Sequence, residues 1–122
     1  MGEKCRAARE AKALYNLTDE NMNNSEQRVL EYTGLSAEFI KKSNIQVGTF
    51  AGKPVFLNTV ICDTGGDKPI LVLVHGYGGS GSLFYKIIKQ ICTRFKLILV
   101  DLIGMGGSSR PTNFDDSKIT PQ

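Results

Sequence analysis

Apolar and polar positions along the chain change period twice. Residues 3–15 place Ala7, Ala8, Ala11, Leu14 and Tyr15 on one helical face among Lys4, Arg6, Arg9 and Lys12, which predicts a short, weakly apolar helix. Residues 16–24 are polar and Asn-rich and read as a linker. Asn24 can then cap a second helix with Gln27 as its reciprocal partner, and Val29, Leu30 and Tyr32 form a small apolar patch before Gly34. Such a helix docks on a surface; a partner-binding helix is the bolder reading of the same face.

From residue 45 the period drops to two. Ile45, Val47 and Thr49 alternate with polar neighbours, Ala51-Gly52 turns the chain, and an apolar run from Val55 to Cys62 completes an antiparallel hairpin. Thr64-Gly65-Gly66-Asp67 is a loop. Ile70-Leu71-Val72-Leu73-Val74 is uniformly apolar and mostly branched, the pattern of a strand buried on both faces of a parallel sheet, which calls for helices above and below. After the glycines at 76, 78, 79 and 81, Leu83, Phe84, Ile87, Ile88 and Ile91 recur at helical spacing, and Leu97-Ile98-Leu99-Val100 follows as another buried strand. Strand, helix and strand of these lengths form one right-handed crossover with parallel strands, so the predicted fold class is α/β. A glycine-rich loop from Asp101 to Pro111 and a polar tail end the chain. A buried-type strand left at a sheet edge exposes unpaired N–H and C=O groups, so either a protein partner completes the sheet or the chain belongs to a longer protein.

Composition narrows the class. The 122 residues are 41% hydrophobic and 22% charged, with 15 Lys and Arg against 12 Asp and Glu, which suits one small domain with one modest core. The excess of three positive charges is not clustered, so no nucleic-acid partner is expected. Cys5, Cys62 and Cys92 have no short paired spacing, which argues against a metal knuckle or a disulfide framework and fits a reducing compartment, cytoplasm or organelle matrix. No apolar run approaches the roughly 20 residues that span a bilayer, so membrane contact is peripheral at most, for instance through the basic helix at 3–15 on a lipid surface.

The loop His75-Gly76-Tyr77-Gly78-Gly79-Ser80-Gly81 joins a buried strand to a helix, where glycines bring backbone N–H groups close to a ligand and can hold a phosphate or an oxyanion. The spacing from Gly76 to Gly81 imitates a nucleotide P-loop, but Ser82 stands where Lys is needed. Gly104-Met105-Gly106 imitates a dinucleotide fingerprint, but Ser109 occupies the third glycine position. Neither a nucleotide nor a dinucleotide cofactor is therefore expected, and no metal.

Taken together, His75-Gly76 closing one apolar strand and Asp101-x-x-Gly104-x-Gly106-x-Ser108-x-x-Pro111 closing the next resemble the α/β-hydrolase fold over roughly residues 45–115. His75-Gly76-Tyr77-Gly78-Gly79 and Asp101-Leu102-Ile103-Gly104-Met105-Gly106 look most like its lipid-active branch, which includes N-acyl-phospholipid lipases, cardiolipin deacylases and the lipid-droplet coactivator of triglyceride lipase. The resemblance implies a helical extension and linker over 1–44 and the N-terminal part of a hydrolase domain over 45–122, stopping before the nucleophile elbow. It implies that the Tyr77 backbone N–H is one oxyanion donor. His75, Gly76, Gly78, Gly79, Asp101, Gly104, Gly106 and Ser108 would shape the loops. No G-x-S-x-G elbow occurs, His75 is the one histidine, and Ser80 has no base partner in the sequence, so no catalytic residue is expected within the chain. The function implied is part of a serine hydrolase acting on lipid ester or amide bonds, with a lipid or small ester as substrate. A noncatalytic docking or assembly subunit is the alternative.

Overall fold

A computed structural model describes residues 19–111. The helix expected over 3–15, Cys5 and the polar tail lie outside the described residues. Helix α1 spans Asp19–Glu31, a 3-10 turn at Ala37–Phe39 leads into β1 (Ile40–Phe50), and β2 (Lys53–Cys62), β3 (Ile70–Val74), a second 3-10 turn at Gly81–Phe84, α2 (Tyr85–Ile91) and β4 (Lys96–Val100) follow.

The four strands form one sheet in the order β1-β2-β4-β3. β1 and β2 are an antiparallel hairpin closed by Ala51 and Gly52, both at positive φ (49° and 74°), as a two-residue type I′ turn requires. The register slips between Gln46 and Gly48, a bulge that leaves Val47 as the extra residue. β2 pairs antiparallel with β4, and β3 pairs parallel with β4 from Ile70–Lys96 to Val74–Val100. β3, α2 and β4 are thus the crossover unit expected from the apolar runs.

The core lies on one face of this sheet. Val60 and Cys62 of β2, Leu97 and Leu99 of β4, and Leu71 and Leu73 of β3 point the same way, and Ile88 and Cys92 of α2 with Leu30 of α1 pack over them. On the opposite face Ile70, Val72 and Val74 are 50–62% exposed. β3 is apolar on both faces, as its sequence required, yet among the described residues helices cover only one of them.

Two sequence expectations are corrected. The helix expected after Asn24 begins at Asp19, so Asn24 lies inside it and part of the presumed linker is helical. Asn is a poor helix former, but Leu30, 1% exposed in the core, anchors the helix by tertiary packing, which outweighs local propensity. The first strand starts at Ile40 rather than Ile45: Lys41 to Asn44 lack apolar alternation, and their pairing with Asn58 to Ile61 draws them into the sheet. Within the crossover, Leu83 and Ile87 stay exposed while Ile88 takes the core position.

Candidate functional site

Two loops meet at the carboxyl ends of β3 and β4, where ligands bind in open α/β sheets. The first runs from His75 to Ser80. Gly79 N–H donates to the Gly76 carbonyl at 3.1 Å, which makes residues 76–79 a tight turn with Tyr77 and Gly78 in the middle. Gly78 has φ +71°, the left-handed value that the third residue of a type II turn needs. The Tyr77 side chain is 97% exposed, and its backbone N–H donates to no group among the described residues.

His75 is buried, and both its ring nitrogens are committed. Leu102 N–H donates to Nε2 at 3.0 Å, so the ring proton sits on Nδ1, 2.7 Å from the Gly76 carbonyl. The neutral imidazole therefore ties the first loop to the second. Asp101 Oδ1 lies 4.0 Å from Nε2, at the outer limit of an ion pair.

The second loop is organised by Asp101, which is 2% exposed. Its Oδ1 accepts Gly81 N–H at 2.6 Å, and its Oδ2 accepts both Gly107 N–H and the Asn58 side-chain amide at 2.9 Å. Ser108 Oγ donates to the Asp101 carbonyl at 2.7 Å and accepts Asn58 N–H at 2.9 Å. Ser109 then exchanges hydrogen bonds with Phe56 through both its backbone N–H and its hydroxyl, so the loop returns to β2. Two glycines are needed for closeness rather than for flexibility alone. A Cβ on Gly81 would come within 2.8 Å of Leu99 Cβ, and one on Gly106 would overlap the Asp101 carboxylate. Gly104 closes its turn by donating to the Ser109 carbonyl at 2.9 Å.

His75, Gly76, Gly78, Gly79, Asp101, Gly104, Gly106 and Ser108 thus come together from two loops some 25 residues apart. The Ser80 hydroxyl lies 2.7 Å from that of Ser82 and, among the described residues, makes no hydrogen bond to a histidine or a carboxylate. Sequence reasoning missed Asn58 and Glu26. Glu26 of α1 accepts from the Asn58 amide at 3.0 Å and pairs with Lys42, so α1 braces the residue that holds Asp101. A polar Asn58 inside the apolar run from Val55 to Cys62 was the available signal. A cleft of about 270 Å³ lies between α1 and the loops, lined by Met22, Glu26, Val29, Ser80, Ser82 and Gly107 among others; Tyr77 is not part of its wall. Among the described residues no group of three or more His, Cys, Asp or Glu could hold a metal ion, and no helix is long and apolar enough to cross a membrane.

Residues 69–118, which contain both loops, match the family model described as the alpha/beta hydrolase fold. A haloalkane dehalogenase mutant from Agrobacterium tumefaciens superposes with a TM-score of 0.52 at 26% identity, over 70% of this chain and 26% of its own. This chain carries part of an α/β-hydrolase fold. Among curated relatives, the chain is 45% identical over 56 residues to a 1-acylglycerol-3-phosphate O-acyltransferase from Arabidopsis thaliana, covering 46% of the chain and 13% of that protein. It is 46% identical over 46 residues to a bovine (lyso)-N-acylphosphatidylethanolamine lipase, covering 38% of the chain and 14% of that relative. The chain thus spans only about one seventh of the length of these two relatives. Its resemblance includes lipid-active proteins of the hydrolase fold.

Proposed function

We propose that this chain supplies the oxyanion-side loops of a serine-dependent acyl-transfer enzyme acting on ester or amide bonds of lipids, with Tyr77 donating one oxyanion hydrogen bond through its backbone N–H. The observation that carries this is the state of that N–H. It sits in a tight turn at the carboxyl end of β3, it has no acceptor among the described residues, and the turn beneath it is fixed by His75. A preorganised donor of this kind stabilises negative charge as it develops on an attacked carbonyl oxygen. The nucleophile, its acid and its base belong to other parts of the polypeptide. The named relatives, one an acyltransferase and one a lipase, support lipid acyl groups as substrate, with water or a hydroxyl as acceptor.

Proline at position 77 gives a direct test in the endogenous polypeptide that contains this chain. Pro has no N–H and suits the second position of the turn, whereas Ala keeps the N–H and removes only an exposed ring. Tyr77→Pro should lower kcat for a lipid ester by about 100-fold or more, with Tyr77→Ala within about threefold of wild type. Equal loss in both variants, or none in the proline variant, would contradict the assignment.

A noncatalytic docking subunit is the second reading, favoured by the exposed apolar face of the edge strand β3. It predicts full binding function with no labelling by a fluorophosphonate.

A further inference from the structure

Cys62 ends β2 and Cys92 caps the end of α2, and both side chains are 0% exposed. Cys92 Sγ donates to the Cys62 carbonyl at 3.7 Å, and both side chains belong to the same buried core cluster. Two cysteines 30 residues apart in sequence thus meet in the core, as a bridge between them would require. Around them the chain is fixed: Thr64 Oγ1 and Lys68 Nζ both donate to the Cys92 carbonyl, at 2.9 and 2.8 Å. Burial pushes the Cys62 thiol up to about 12, while the Lys68 ammonium partly offsets the burial that raises Cys92. The Lys68 ammonium, held at the Cys92 carbonyl, favours Cys92 as the attacking sulfur.

We propose that Cys62 and Cys92 are a latent dithiol that a peroxide closes to an intramolecular disulfide, fastening the end of β2 to the end of α2. The Cys92 thiolate attacks one peroxide oxygen, the O–O bond breaks, and the hydroxide released takes up a proton to leave as water. Cys92 is then a sulfenic acid. Cys62 sulfur attacks Cys92 sulfur, the S–O bond breaks, and hydroxide leaves with the Cys62 proton as a second water. Two thiols lose two electrons in all, and one peroxide becomes two waters. The closed loop contains β3, the His75 to Ser80 turn and α2, so oxidation would stiffen the segment that carries the first glycine loop. The reaction is slow in the closed fold, because the pair is buried and protonated, and local opening of the β2–α2 contact admits the water-sized oxidant.

The test is peroxide treatment of the endogenous polypeptide that contains this chain, in buffer and in urea, followed by alkylation of remaining thiols, nonreducing trypsin digestion and mass spectrometry. The expected product in buffer links peptides 43–86 and 90–94 with the loss of two hydrogen masses, and Cys5 remains alkylated. In urea, loop length alone favours this pair over the bridge from Cys5 to Cys62 by about threefold. A preference in buffer no greater than that, bridges through Cys5, or sulfinic acid without a bridge would overturn the proposal. The oxidised chain should also melt higher by roughly 10 °C or more. Cys5→Ser should leave the bridge intact, and Cys62→Ala should abolish it. The wild-type digest decides the matter even if the Cys62 variant does not fold.

Discussion

Asp101 gathers three donors onto one buried carboxylate: Gly81 N–H, Gly107 N–H and the Asn58 amide. Among the described residues no basic side chain lies within hydrogen-bond distance to neutralise it, so its stability in the interior depends on these N–H groups. Asp101→Ala strands three donors at once and should lower the free energy of unfolding by about 3 kcal/mol, measured by urea titration of the chain. An effect below about 1 kcal/mol would mean that water replaces the carboxylate without loss. His75 and Asp101 stood out in the sequence because they close apolar strands, and Ser108 because its glycine-rich loop resembles that of the hydrolase fold. Their partners did not. Asn58 was hidden inside an apolar run, and Glu26 lies on a different helix, so nothing in local spacing joins either to position 101. Long-range polar contacts of this kind become visible only when the sheet register is known.

At the scale of elements, β3, α2 and β4 were legible because each carries a continuous apolar signal at one period. β1 and α1 were less so, and for different reasons. β1 pairs through its backbone with β2 along its full length, so Lys41 to Asn44 join the strand without the alternation that marks it in sequence. α1 is held by Leu30 and by the contacts of Glu26 with Lys42 and Asn58, which override an Asn-rich start. The hairpin turn offers a local test. Ala51 adopts φ +49° in a type I′ turn that favours Asn-Gly, so Ala51→Asn should stabilise the chain by about 0.5–1 kcal/mol in the same titration. Destabilisation by the Asn variant would argue against the type I′ geometry.

At the scale of the whole molecule, the sheet presents two unlike faces. One packs Val60, Cys62, Leu97 and Leu99 beneath both helices; the other displays Ile70, Val72 and Val74 on an edge strand. An edge of this kind invites further pairing, and the chain spans about one seventh of the length of the two relatives compared. The central claim is that this segment shapes the oxyanion side of a serine-dependent enzyme whose nucleophile lies elsewhere in the polypeptide. Fluorophosphonate labelling of the endogenous polypeptide that begins Met1-Gly2-Glu3, followed by intact mass and peptide mapping, addresses it most directly. The account predicts a mass well above 13.4 kDa and a label on a serine outside residues 1–122. A label on Ser80, or an endogenous chain of 13.4 kDa that takes no label, would contradict it.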